Sequence, residues 1–279
     1  MITAAPDNPF TFRHVPHTPN SPALRAQGLE VRYGTHTALE DLSLEVRPGE
    51  RLAVVGPNGA GKTTLFKAAA GLLEPSSGCL EIFGHPPRRH ACIAYLVQRS
   101  TIDWSFPVTV RDVVTMGRVR EIGLFRRAGE KDRAFVDQCL DLVGLAPLAD
   151  RQIGELSGGQ QQRMFIARAL AQEAAVMLLD EPFTGLDHQT EHGLIDLLGQ
   201  LGRRGVTILV ATHDLDLAAT HFDRVLLLNR RLIGCGPSGE VFRSDLLTAT
   251  FGHHARTIRT RDGLVFVSDD CCSGEAHHG

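Results

Sequence analysis

The sequence predicts an α/β protein: a core sheet of buried strands, a small antiparallel β subdomain beside it and an inserted α-helical subdomain. Three observations carry this. Short, continuously apolar runs at residues 51–55, 176–179 and 207–212 have the composition of strands buried on both faces. Residues 29–33 and 42–46 alternate apolar and polar instead, as half-buried antiparallel strands do. Between residues 110 and 149 the apolar positions recur at helical spacing.

In chain order, residues 1–23 are rich in proline and polar residues and lack a continuous apolar core, so they are expected to form a flexible extension and not a signal peptide. After the two alternating strands, Arg47, Pro48, Gly49 and Glu50 make the turn into strand 51–55. That strand runs into Gly56, Pro57, Asn58, Gly59, Ala60, Gly61, Lys62, Thr63 and Thr64, and a helix is expected from Leu65 onward. The glycines let the backbone turn tightly with its N–H groups pointing inward. Successive N–H donors at a helix N-terminus form an anion site, Lys62 can reach the β- and γ-phosphates of a nucleotide, and the Thr63 hydroxyl can ligate Mg²⁺. The strand-loop-helix setting makes this stretch a phosphate cradle. Residues 80–84 read as a further member of the small antiparallel sheet.

Farther on, Val113, Val114 and Met116, then Phe135, Val136, Cys139, Leu140 and Val143, are spaced as helical faces. Leu156, Ser157, Gly158, Gly159 and Gln160 precede a helical run from Gln161 to Gln172, with Met164, Ala167, Leu170 and Ala171 on one face. Ser157 is placed to cap that helix. It is either a simple cap or part of a second anion site made of hydroxyl, glycine amides and helix dipole. Since one cradle suffices to bind a nucleotide, a second site points to a γ-phosphate held elsewhere. Strand 176–179 ends in Asp180 and Glu181, which emerge at its carboxyl end, where open α/β sheets bind ligands. His213 follows strand 207–212 at the equivalent edge. Phosphoryl transfer needs a lysine, a metal with a carboxylate ligand and a group that orients water. Lys62, Asp180, Glu181 and Gln98 or His213 fill those roles.

This set, in its order and spacing, resembles the nucleotide-binding subunit of ATP-binding cassette (ABC) transporters, over residues 24–242. The resemblance implies a P-loop NTPase (RecA-like) core at residues 24–97 and 166–245 that includes the antiparallel subdomain. The helical subdomain would occupy 98–165, and a hairpin with a polar tail 246–279. ATP and Mg²⁺ are the implied cofactors. By resemblance Tyr33 stacks on adenine and residues Gly56 to Thr64 hold the phosphates. Thr63, Asp180 and Gln98 serve the magnesium ion, Gln98 also sensing the attacking water. Ser157, Gly158, Gly159 and Gln160 form the signature, Glu181 is the general base, Asp187 the D-loop acid and His213 the switch histidine. The resemblance also implies a head-to-tail homodimer with ATP at its interface, integral membrane permease subunits, and a solute-binding protein reached through the complex. Its location would be peripheral, on the cytoplasmic face of the inner or plasma membrane.

The stretch from Tyr95 to Val114, above all Asp103, Trp104, Ser105, Phe106, Pro107, Val108, Thr109 and Val110, resembles the ATPase subunits of manganese, zinc and iron importers, which implies divalent metal uptake. The alternatives are an ATPase for iron chelates, haem or cobalamin, and a non-transport ABC protein acting in DNA repair or on the ribosome. Against the last stand the single cassette, the short insertion and the lack of a basic stripe. Trp104 and Phe106 are apolar anchors of the type that dominate interfaces. Trp104 either docks a membrane partner or packs inside the helical subdomain.

Composition is consistent with these readings. With 279 residues and 43% hydrophobic content the chain can bury a large core, and its net charge of −3 gives no bulk attraction to nucleic acid or acidic lipid. Its apolar runs fall far short of the roughly 18 residues that span a bilayer, so a transport pore has to be another chain. Cys79, Cys92, Cys139, Cys235, Cys271 and Cys272 show no paired spacing and read as reduced thiols. Residues 256–267 suggest a hairpin closed at Asp262 and Gly263. Beyond it Asp269, Asp270, Cys271, Cys272, Glu275, His277 and His278 are either transition-metal ligands or a frayed polar tail.

Overall fold

A computed structural model describes residues 18, 20–87, 92–97, 102–123, 126–252, 255–260 and 263–268. The chain enters through β1 (Leu24–Tyr33), returns antiparallel in β2 (His36–Val46) and passes into β3 (Arg51–Val55) and α1 (Lys62–Ala69). β4 (Ser77–Glu81) pairs with the other edge of β1, completing a three-stranded antiparallel sheet in the order β2-β1-β4. Packing begins ahead of the first strand: the Thr18 N–H donates to the Phe83 carbonyl at 3.3 Å, and Ala23 is fully buried with its N–H donating to the Val46 carbonyl at 2.8 Å.

The second sheet has six strands. β5 (Ile93–Leu96), β6 (Val176–Asp180), β7 (Thr207–Thr212), β8 (Arg224–Asn229) and β9 (Arg231–Gly236) join β3 in the order β5-β6-β7-β3-β8-β9, all parallel except β9. Every residue of β6 and β7 is buried, as their unbroken apolar runs require. Alternate side chains serve opposite faces. Met177, Leu179, Ile208 and Val210 point into one core; Val176, Leu178, Leu209 and Ala211 join Leu52 and Val54 in another, shared with α1 and the small sheet.

Between β5 and β6 the chain leaves the sheet for α2 (Val110–Met116), α3 (Val119–Ile122), α4 (Glu130–Leu142) and α5 (Gly158–Ala171). Thr109 starts α2 with a capping box, its hydroxyl accepting from the Asp112 N–H at 3.1 Å and its own N–H donating to the Asp112 carboxylate at 3.0 Å. Val113, Val114, Val136, Cys139, Leu140, Val143 and Met164 share one core. Burying each large aliphatic chain there stabilises the subdomain by about 1.5–3 kcal/mol. Met116 departs from the expected face and is 47% exposed, because it stands two residues past Val114, on the far side of a 3.6-residue turn.

α6 (His188–Arg203) precedes β7, α7 (Leu215–His221) precedes β8, and α8 (Ser238–Val241) and α9 (Ser244–Phe251) follow β9. β10 (Ala255–Thr260) and β11 (Gly263–Ser268) pair antiparallel with Thr260 opposite Gly263, so the expected hairpin is present. Its turn residues Arg261 and Asp262, and the candidate ligands at 269–278, lie outside the described residues. Among the described residues no helix is long and apolar enough to cross a membrane.

Candidate nucleotide-binding and catalytic site

Val55 at the end of β3 lies opposite Thr212 of β7, and Asp180 at the end of β6 lies opposite Ala211 of the same strand. The segments after β3, β6 and β7 therefore leave one edge of the sheet side by side. The first is the glycine loop. A Cβ on Gly56 would stand 2.1 Å from the Leu228 carbonyl oxygen, and one on Gly61, at φ +99°, would stand 2.7 Å from the Ala38 oxygen. Only glycine lets the loop seat against β8 and β2.

The loop's carbonyls are engaged. The Ala60 N–H donates to the Pro57 oxygen at 3.1 Å, the Arg230 N–H donates to the Ala60 oxygen at 2.8 Å, and Lys62 Nζ donates to the Gly56 and Pro57 oxygens at 2.6 and 3.2 Å. By contrast, no described residue accepts a hydrogen bond from the N–H groups of Gly59, Gly61, Lys62 or Thr63. A row of open donors at the start of α1, reinforced by the helix dipole, is an anion cradle. Burial lowers the pKa of the Lys62 ammonium from its ordinary value, while the carboxylates of Glu181 and Asp180 pull it back up.

Thr63 and Tyr95 meet at Asp180. The Thr63 hydroxyl donates to Asp180 Oδ2 at 2.8 Å and the Tyr95 hydroxyl to the same oxygen at 3.2 Å, with Asp180 itself 6% exposed. Burial and the neighbouring carboxylate push the Tyr95 phenol upward, so it keeps the proton it donates. A hydroxyl and a carboxylate side by side at the rim of a phosphate cradle are hard oxygen donors. They fit Mg²⁺, which takes one or two protein oxygens and completes its shell with phosphates and water.

Glu181 sits at φ +51°, in the left-handed region that costs a non-glycine residue about 1–2 kcal/mol. Its N–H donates to the Ala211 oxygen at 3.1 Å, which holds the turn. The carboxylate Oε2 accepts from the Thr184 hydroxyl at 3.0 Å and lies 3.0 Å from His213 Nδ1. The His213 side chain is 67% exposed and that of Glu181 17%, so the pair faces solvent across the sheet edge.

A second cluster forms at two helix starts. Ser157 caps α5 in a reciprocal box with Gln160, at 2.9 and 3.4 Å. Asp187 caps α6, accepting from the Thr190 N–H at 2.9 Å and hydroxyl at 2.7 Å. The two starts touch: a Cβ on Gly159 would stand 2.0 Å from Thr190 Cγ2. Among the described residues no hydrogen bond joins Ser157, Gly158, Gly159 or Gln160 to the loop around Lys62. Tyr33 ends β1 with 47% of its surface exposed, and Gln98 lies outside the described residues.

The structure thus gathers Lys62, Thr63, Asp180, Glu181 and His213, and sets Ser157 to Gln160 and Asp187 apart. Reading the sequence misses Tyr95 and Thr184 as members of the first group. The available signal for Tyr95 was a hydroxyl in an otherwise apolar strand, paired with Leu178 two residues before Asp180. Trp104 packs edge-on against Phe165, ring centroids 5.9 Å apart, and is partly buried against the helical core. Phe106, two residues on, is 58% exposed.

A family model described as ABC transporter matches residues 39–184. The manganese transport system ATP-binding protein MntB of Halalkalibacterium halodurans is 43% identical over 249 residues, spanning 89% of this chain and 99% of its own. The zinc transport system ATP-binding protein TroB of Treponema pallidum is 44% identical over 231 residues, 82% of this chain and 87% of its own. A solved structure described as an inward-facing conformation of an ABC transporter of metal-chelate type superposes with a TM-score of 0.76 at 30% identity, over 88% of this chain and 97% of that one. The phosphate cradle, the acid pair at the end of β6 and these likenesses agree, and the chain belongs to the ATP-hydrolysing, ATP-binding proteins of the ABC transporter family.

Proposed function

We propose that this protein powers the uptake of divalent metal ions, manganese, zinc or iron, through a separate membrane permease. The observation that carries the catalytic part is the meeting of Thr63, Asp180, Glu181 and His213 beside the open N–H donors of the glycine loop. The substrate class is supported by identities of 43% and 44% to manganese and zinc transport proteins; a chelated iron transport system protein of Yersinia pestis is 45% identical, and the metal-chelate type structure 30%. Import of an iron chelate, haem or cobalamin is the second reading, and that structural likeness supports it.

In this reading the N–H groups of residues 59–63 and the Lys62 ammonium bind the β- and γ-phosphates, and Tyr33 stacks on adenine. Thr63 Oγ1 and Asp180, with Gln98, would hold Mg²⁺, which neutralises charge on the phosphoryl oxygens when bound. Tyr95 fixes the Asp180 carboxylate by donating to it. Glu181 takes a proton from water as the water oxygen bonds to the γ-phosphorus and the bond from phosphorus to the ADP oxygen breaks. His213 orients that carboxylate and presents its exposed ring to the γ-phosphate. Ser157, Gly158, Gly159 and Gln160, with no link to their own glycine loop, suit the γ-phosphate of a second copy, and Asp187 lies beside them at that interface.

Docking of the permease is assigned to the segment around Phe106. Of the six exposed large apolar side chains among the described residues, Val97, Phe106, Met116 and Val119 all come from residues 97–119. The assembly sits on the cytoplasmic face of the membrane, receives ions through a solute-binding protein and takes no nucleic acid. The core at 24–97 and 166–245, the helical subdomain at 98–165 and the segments 1–23 and 246–279 are the proposed units. Co-expression with the permease, followed by uptake in vesicles, tests the reading. Uptake of manganese, zinc or ferrous ion coupled to ATP use is the expected result; transport of a chelate alone, or stimulation by nucleic acid alone, would overturn it.

A further inference from the structure

Outside the catalytic group, one side-chain pair has no role in the mechanism above. His188 and His192 stand four residues apart on α6, one helical turn along the same face. Their rings lie 4.3 Å apart at 75°, with the two Nε2 atoms 3.1 Å from each other. Both side chains are exposed. At that separation one nitrogen donates to the other, or both present lone pairs to a shared cation. The spacing suits a cation: with metal-to-imidazole bonds of about 2.0–2.1 Å, two nitrogens on one ion are about 2.9 Å apart at a right angle and about 3.4 Å apart at the tetrahedral angle.

We infer that His188 and His192 form a bidentate site for a divalent transition-metal ion of the zinc, nickel or copper class, and that its occupancy clamps the first turn of α6. Imidazole selects these ions over magnesium and calcium, which prefer oxygen. Among the described residues no group of three His, Cys, Asp or Glu could hold a metal, so water completes the shell and affinity is set by the pair. The helix N-terminus disfavours a cation, and the carboxylates of Asp187 and Glu191 in that first turn offset it. Position gives the clamp its consequence. His188 directly follows Asp187, and Thr190, between the two histidines, is the residue on which Gly159 packs. An ion bridging positions 188 and 192 therefore stiffens the contact between the two segments assigned to the dimer interface. The clamp rests on the ATPase reading; the metal site does not.

Equilibrium dialysis of the full-length protein against Zn²⁺ tests the site. The wild type should hold one more Zn²⁺ than the His188→Gln/His192→Gln variant, and each single substitution should weaken that ion about tenfold or more, since even outer-shell partners cost that much. Because the comparison is a difference, other thiols and histidines of the chain cancel. Equal stoichiometry and affinity in all four proteins would overturn the site. For the clamp, the double variant should retain basal MgATP turnover, and micromolar Zn²⁺ should slow the wild type but not the variant. Equal slowing of both would overturn the clamp while leaving the site.

Discussion

Glu181 is held at positive φ by its N–H bond to the Ala211 oxygen, and one carboxylate oxygen is shared between Thr184 and His213, so contacts on both backbone and side chain fix a strained residue in place. Glu181→Gln preserves shape and removes the proposed base. ATP affinity measured by calorimetry should be kept while turnover falls roughly 10²- to 10⁴-fold; turnover near the wild-type rate would remove Glu181 from the role. Lys62→Ala acts on ground-state phosphates as well, so its ATP affinity itself should drop, and an unchanged affinity would count against the cradle. Two buried thiols give a pH-dependent expectation. Burial raises Cys92 to about 11 and Cys139 to about 12, from an ordinary value of 9.0. The folded chain thus keeps protons that the unfolded chain loses above pH 9. The associated stability is complete below that pH and is lost as pH rises toward 11 and 12. At pH 9 a thiol reagent should label exposed Cys79 and spare Cys92 and Cys139 until the protein is unfolded. Prompt labelling of all three would contradict their burial.

At the scale of elements, legibility followed burial. β6 and β7 were readable because a strand covered on both faces must be apolar throughout, and α5 was readable because Ser157 and Gln160 reciprocate within four residues. Met116 falls off the expected face because α2 is only two turns long, too short for its period to outvote one position. Trp104 is ambiguous for a different reason: it lies in a turn ahead of α2, and its partner Phe165 is far away in the sequence, in α5. The structure divides the two aromatic residues of that segment. Trp104→Ala should lower stability by about 2 kcal/mol, through a lost edge-to-face pair and partial burial, and the melting temperature with it. Phe106→Ala should leave the melting temperature unchanged and weaken co-purification with the permease. The reverse pattern, a stability loss at Phe106 and none at Trp104, would show that the docking surface lies elsewhere.

Across the whole molecule, most of the candidate catalytic group is legible because those members are punctuated by local sequence: glycines at close approaches, acids at a strand end, a histidine after the next strand. Tyr95 escaped because its contact with Asp180 depends on β5 lying beside β6, a pairing that no local pattern announces. The relation between the glycine loop and the start of α5 is likewise a property of the fold. Ser157 to Gln160 are held against α6 by Gly159 and Thr190, and have no hydrogen bond to the glycine loop they would complete. If the second site is to meet a γ-phosphate, that phosphate belongs to another copy, and two copies related by a two-fold axis would each lend the other this segment. Glu181→Gln, expected to retain bound nucleotide, is the form in which such a dimer should accumulate. With MgATP it should elute at twice the monomer mass by size exclusion with light scattering, and return to monomer when nucleotide is removed. Adding Ser157→Arg places a bulky cation at the cap of α5; losing that cap costs about 1 kcal/mol, too little to unfold the chain. The double variant should bind ATP with unchanged affinity and remain a monomer. If it dimerises as readily as Glu181→Gln alone, the start of α5 is a helix cap and nothing more, and the dimer interface must be sought on another face.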